Sequence, residues 1–178
     1  MSTALITRRE AAELSGASPT TVKKAIDQGV IRAPIEVGEV PVLVMLRALG
    51  DAGLPVKHKK LLRDWMRSSE VTDELQLAPA LIVRRLPEAE DALERAERYA
   101  RLRDRWIVRD PDIKGGEPVI SGSRVGVHLL ADRIAQGEGD DVLDEDFPHI
   151  PREAREIAVQ YAKTNPRRGR PKRDGRPR

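Results

Sequence analysis

The stretch TRREAAELSGASPTTVKKAIDQGVI, from Thr7 to Ile31, leaves the chain little choice of local fold. Thr7 and Glu10 stand in the capping-box relation, where a hydroxyl and a carboxylate each satisfy the other's orphan backbone N–H. Ala11 and Leu14 then give a first short helix one apolar side. Ser15-Gly16-Ala17 interrupts it, and Ser18-Pro19 restarts it, with proline at the first helical position where its missing N–H costs nothing. Val22, Ala25 and Ile26 share the inward side of this second helix. Gly29 follows where a left-handed residue commonly closes a helix. Two short helices across a three-residue turn are the helix-turn-helix plan.

In DNA-binding versions of that plan the second helix lies in the major groove. Its outward side here offers Thr20, Thr21, Lys23, Lys24 and Asp27. Hydroxyls in the first turn reach base edges, and lysines bond phosphates or guanine edges. The candidate DNA-contacting residues are therefore Ser18, Thr20, Thr21, Lys23, Lys24 and, just past the helix, Arg32. The plainer reading is a helical hairpin with a solvated polar face. The stretch resembles the helix-turn-helix of MerR-like and excisionase-like regulators over roughly residues 5–50. That resemblance implies a small wing after the second helix. IRAPIEVGEVPVLV is the candidate, with Gly38-Glu39 at its turn, and Pro34 and Pro41 confine it to edge-like pairing.

Charge divides the chain further. Residues 1–66 carry 10 basic and 7 acidic side chains, residues 67–162 carry 14 and 21, and residues 163–178 carry 8 and 1. The overall +3 describes no part of the molecule, and ends with opposite partners are expected. The chain has no cysteine, which removes disulfides and thiolate zinc sites and fits a reducing cytoplasm. No apolar run approaches membrane-spanning length, and Met1-Ser2-Thr3-Ala4-Leu5-Ile6 lacks a secretory pattern, so a cytoplasmic protein without membrane partners is expected. Five aromatic residues are too few for a reader of single-stranded RNA by base stacking.

The middle reads as connector. VMLRALGDAGLPVKHKKLLRDWMRS predicts two helices broken near Gly50-Asp51-Ala52-Gly53. Met45, Leu46, Leu49 and Leu54 close a first core, and Leu61, Leu62, Trp65 and Met66 have the spacing of packed positions. LQLAPALIVRRL is β-like but contains Pro79, which allows at most an edge strand or two short strands. From Pro87 a Glu-rich first turn and an Arg-rich last turn mark a helix over residues 87–106, expected to be a solvated linking or dimer-forming element.

The last third, DPDIKGGEPVISGSRVGVHLLADRIAQGEGDDVLDEDFPHIPREAREIAVQYA, concentrates glycine at positions 115, 116, 122 and 126. The phosphate-loop and dinucleotide spacings are both absent, so tight turns are the expected use, placing the short β-segment PVI beside its own return or a partner's. Three helices follow: one from Val127 with Leu130 and Ile134 on its face and Gly137 at its end, one near Asp140–Asp146, and one from about Pro151 to Lys163. The last buries Ile157, Ala158 and Tyr161. Gly116, Pro118, Ile120, Gly122, Ser123 and Arg124, then Gly137, then Phe147-Pro148-His149-Ile150, are similar to a small domain of unknown function found in VapB-type antitoxins. Its pattern is Gly-x-Pro-x-Ile-x-Gly-Thr-Arg, an apolar helix ending in Gly, and a Tyr-Pro-x-Leu step. Ser123 stands for the usual Thr and keeps the hydroxyl, while Pro151 stands at the usual capping Thr.

The resemblance implies a PIN-domain ribonuclease toxin as partner, its Mg²⁺-binding carboxylates blocked by an inserted arginine. The basic ending RRGRPKRDGRPR supplies Arg167, Arg168, Arg170 and Arg173 as candidate toxin-binding residues. Gly169-Arg170-Pro171 also resembles an AT-hook core, suited to a narrow A·T minor groove. A solvated, disordered tail is the third reading. His58, His128 and His149 fall outside metal-ligand spacing, DDVLDED lacks the order of a calcium loop and reads as a solvated acidic face or a docking strip for a basic partner, and no nucleophile–base pair stands out. Neither an enzyme nor a cofactor is expected.

The sequence therefore predicts a mainly α protein. A (winged) helix-turn-helix domain over 1–66 and a charged connector over 67–106 precede a small C-terminal helical, helix-turn-helix-like unit with a short β-segment over 107–165. A flexible basic tail covers 166–178. The expected function is an antitoxin that represses its own operon as a homodimer on double-stranded operator DNA and neutralises the ribonuclease. The alternative is a stand-alone DNA-binding transcriptional regulator with an AT-hook-like tail and no toxin.

Overall fold

The computed structural model describes residues 4–50, 54–68 and 72–167. The chain is mainly helical and divides into two compact units, Met1–Arg105 and Trp106–Arg178. In the first, strand β1 (Leu5–Ile6) leads into helices α1 (Arg8–Ser15) and α2 (Pro19–Asp27). The capping box forms: Thr7 Oγ1 accepts from the Glu10 amide at 3.2 Å, and Glu10 Oε2 accepts from the Thr7 amide at 2.7 Å. Gly16 ends α1 in the left-handed region, φ 66°, which costs a residue with a Cβ about 1–2 kcal/mol. Ser18 caps α2, its Oγ accepting from the Thr21 amide at 3.0 Å. Val22 and Ala25 are fully buried beneath α2, and Ile26 is half-buried.

No wing hairpin forms after α2. Strand β2 (Ile35–Glu36) pairs antiparallel with β1, so the strand's partner comes from upstream of the helices. Gly38 and Glu39 lie in a 3₁₀ turn (Val37–Glu39) that runs straight into helix α3 (Val40–Leu49). Pro41 is therefore a first-turn helical residue, a position proline suits as well as a strand edge. The apolar run VPVLVML reads equally as strand or helix, and its all-round burial beneath α1, α2 and the next helix favours the helix. Helix α4 (Val56–Arg67) buries Leu62, Trp65 and Met66. Leu61, expected to pack with them, is about half exposed at the margin of that face. Leu49 and Leu54 are only half-buried. Pro79 sits between β3 (Glu74–Ala78) and β4 (Leu81–Arg84), an antiparallel pair.

Helix α5 (Pro87–Trp106) has the expected bounds but not the expected surroundings. The described residues up to Arg105 belong to the first compact unit. Ala89, Ala92, Ala96 and Ala100 are fully buried at helical spacing, and Tyr99 is nearly so. The alanine row is therefore the buried face of an otherwise highly charged helix. Two buried carboxylates pin the unit. Glu10 accepts from the Tyr99 hydroxyl at 2.6 Å and lies 3.3 Å from Arg103, whose guanidinium also bonds the Leu5 carbonyl. Glu39 receives Arg63 at 2.7 Å and Arg67 at 3.0 Å from α4. The hydrogen bonds to Glu39 hold the Arg63 guanidinium above its usual range.

The second unit opens with β5 (Ile107–Arg109) and β6 (Pro118–Ile120), an antiparallel pair. PVI thus pairs with a segment upstream of the glycine loop, with a further bridge from Val119 to Gly126 of its own return. Helices α6 (Val127–Ala135), α7 (Asp140–Asp146) and α8 (Arg152–Thr164) follow. Ile120, Val127, Leu130, Leu143, Ile150, Ala154, Ala158 and Tyr161 make one core. The DDVLDED segment is not merely a solvated face: Asp144 pairs with the buried Arg155, and Asp146 pairs with Arg133.

Candidate nucleic-acid interface

The exposed N-terminal end of α2 is the most chemically distinctive surface of the first unit. Ser18 Oγ, besides capping the helix, lies 2.9 Å from Thr21 Oγ1, so the two hydroxyls form one polar cluster at the helix start. Ser18, Thr20, Lys23 and Lys24 are exposed, and Thr21 is half-buried. Lys23 bonds Asp27 one turn on at 2.8 Å, with both side chains mostly in solvent. An exposed pair of this kind contributes little and yields readily to a competing anion. Arg32 is exposed just past the helix. Four of the six residues singled out in the sequence thus lie on α2, Ser18 caps it, and Arg32 follows beyond its end. A helix whose first turn carries hydroxyls and whose body carries lysines can donate to base edges and phosphates.

Beside that face lies a cleft of about 350 Å³ between α2 and residues of α3 and α4. Ser18, Thr21, Lys24 and Gln28 form its α2 wall, with Arg47 and Lys59 opposite. Lys59 Nζ donates to Gln28 Oε1 at 3.2 Å, and Arg47 pairs with Glu88 of α5. A Cβ placed on Gly16 would stand 2.8 Å from the Arg47 guanidinium, the far end of a side chain that can move aside, so it is the left-handed turn that calls for glycine. Arg47, Lys59 and Gln28 were not among the sequence candidates. The run Lys57-His58-Lys59-Lys60 is visible in the sequence, but nothing local brings α4 beside α2.

In the second unit the Gly-x-Pro-x-Ile-x-Gly-Ser-Arg segment is a strand followed by a tight turn. Gly122 takes φ 73°, which the turn requires. Ser123 Oγ donates to the Ile120 carbonyl at 2.9 Å and accepts from the Val125 amide at 3.1 Å. A threonine hydroxyl serves the same two bonds, so the exchange at position 123 preserves the turn. Pro151 precedes α8 without any side-chain cap, as a proline must. His128 is half-buried, its ring 6.4 Å from that of Tyr161. Burial first, then Arg167 and Arg109, lower its pKa. Arg167 forms an exposed ion pair with Asp132 at 2.9 Å, while Arg168, Arg170 and Arg173 lie outside the described residues.

The chain is thus two mainly helical units, the first opening with two capped helices across a short turn and the second with an antiparallel strand pair. Residues 107–162 match the family model described as Protein of unknown function (DUF433). The chain is also similar to the uncharacterized protein y4eO of Sinorhizobium fredii (strain NBRC 101917 / NGR234), 36% identical over 85 residues. The match spans 48% of this chain and 38% of the relative, well under two thirds of the relative's length. No solved structure matches. Among the described residues no helix is long and apolar enough to cross a membrane.

Proposed function

We infer that the protein is an antitoxin of a type II toxin–antitoxin system. Its first unit represses its own operon by binding double-stranded DNA, and its carboxyl-terminal end neutralises a PIN-domain ribonuclease. The observation that carries the reading is one chain holding two separately packed devices. One is a capped, exposed helix start bearing Ser18, Thr20, Lys23 and Lys24. The other is the turn built on Gly122 and Ser123, the segment that carries the antitoxin-like pattern.

Changing Lys23 and Lys24 together to alanine is expected to weaken binding to a duplex from the protein's own promoter. It should also flatten the dependence of log affinity on log salt by about 1.8, two phosphates' worth. An unaltered affinity and slope would remove α2 from the interface. For the second half, one equivalent of the chain is expected to suppress Mg²⁺-dependent RNA cleavage by the nuclease encoded beside it. Undiminished cleavage at excess protein rejects the antitoxin reading and leaves the stand-alone regulator.

A further inference from the structure

We propose that the exposed face of α5 pairs antiparallel with the same face of a second copy of this chain. Residues three and four apart share one side of a helix. Asp91, Glu94, Arg98 and Arg101 follow that spacing, on the side opposite the buried alanines. All four are exposed, and none has a side-chain ion-pair or hydrogen-bond partner among the described residues. Their charges are segregated, the acidic pair first and the basic pair second. Glu94 and Arg98 stand two positions either side of Ala96, and Asp91 and Arg101 stand five. At a rise of about 1.5 Å per residue, a two-fold axis level with Ala96 sets Asp91 and Glu94 level with Arg101 and Arg98 of the second copy. The acidic half of each stripe then meets the basic half of the other.

Neither rule that usually arranges charges along a helix accounts for this stripe. The macrodipole favours acids early and bases late, but only within the first and last turns. The stripe begins at the fifth residue of α5 and ends five short of Trp106. Glu94 and Arg98 have the spacing to pair along the helix, but such pairs contribute little, and neither side chain takes the other here. Across a two-fold every pair occurs twice, so weak surface pairs act together as a network, the arrangement in which they matter. Arginine suits the role, since its planar fork matches a carboxylate and its aliphatic stem packs on the facing helix. A parallel pair in register would set acid against acid and arginine against arginine. The stripe therefore specifies the orientation as well as the partner. Assembly through α5 needs neither DNA nor a ribonuclease, so its test is independent of both proposed activities.

The test is sedimentation velocity of the full chain at tens of micromolar, at about 0.1 M and about 1 M salt, where the screening length falls from about 10 Å to about 3 Å. The wild type is expected to be dimeric at the lower salt and to shift toward monomer at the higher. Asp91→Arg with Glu94→Arg makes the stripe wholly basic, and Arg98→Glu with Arg101→Glu makes it wholly acidic. Each of these variants alone is expected to be monomeric, and an equal mixture of the two is expected to form dimers again. Circular dichroism checks the helix content of each. Asp91→Asn with Glu94→Gln, which keeps the side-chain shapes, should weaken the dimer roughly tenfold or more, as the loss of several exposed pairs implies. A wild type that is monomeric at both salts, or a dimer unmoved by salt, overturns the proposal. So does a reversed variant that stays dimeric, or a folded pair whose mixture stays monomeric. Should a reversed variant lose its helix content, the neutral variant decides, and an undiminished dimer in it refutes the pairing.

Discussion

Glu10→Ala is expected to destabilise the first unit by about 3 kcal/mol, a large fraction of a small unit's stability. Glu10 is 1% exposed and ties two helices through three residues: the Thr7 cap of α1, and Tyr99 and Arg103 of α5. Alanine would leave the Tyr99 hydroxyl, itself on a 2% exposed residue, and the Arg103 guanidinium without that acceptor. Removing one partner of a buried polar set costs more than the set contributes as a whole. Hydrogen exchange is the suitable measurement. Amides of α1 and α5 should lose protection about 10²-fold, at 1.4 kcal/mol per factor of ten, while those of α6 and α8 keep theirs. Equal protection in both proteins would show that Glu10 is not the tie.

The same residue sets an acid limit. Burial pushes the Glu10 carboxyl up, but the bonds from the Thr7 backbone and the Tyr99 hydroxyl, with the Arg103 charge, outweigh it and hold the pKa below its ordinary 4.5. A carboxyl depressed by folding binds its proton more readily in the unfolded chain. Its contribution is therefore complete above about pH 4.5 and is lost as pH falls through the lower folded value. Glu10→Gln should flatten that part of the acid limb, read as stability against pH.

Deleting residues 166–178 is expected to separate the two proposed activities. One or two arginines seated in a poorly solvated carboxylate site contribute roughly 1.5–3 kcal/mol each. With two engaged, truncation should weaken ribonuclease inhibition by roughly 10²–10⁴-fold and spare promoter binding through Thr20–Lys24. Arg167 is engaged with Asp132, but that pair is more than half exposed on both sides and costs little to break. RNA cleavage and labelled-duplex binding, measured on the one truncated protein, give the answer. Full inhibition with lost affinity for A·T-rich flanks would assign the tail to the minor groove instead, and no change in either assay would make it a solvated ending.

Local rules account for much of what the sequence determined. The Thr7–Glu10 box, the Ser18-Pro19 start, the left-handed Gly16 and Gly29, and the bounds of α5, α7 and α8 depend on neighbours within four residues. Capping, proline geometry and positive φ act at that range, so they are legible in a string. The outward stripe of α2 is legible for the same reason, because the inward stripe is apolar.

The tertiary structure decided what distant segments share. VPVLVML became a helix because it is buried from several sides, and periodicity cannot tell such a run from a strand. β2 found its partner upstream, across two intervening helices, instead of in a hairpin. Glu10 meets Tyr99 across 89 positions, which turned a capping residue into the tie between α1 and α5. The alanine face of α5 looks unremarkable beside its charges, and only the tertiary structure buries it. The cleft follows the same logic: Lys24, Arg47 and Lys59 converge because α3 and α4 fold back onto α2. Charge convergence of that kind depends on long-range packing, which no local pattern of residues encodes.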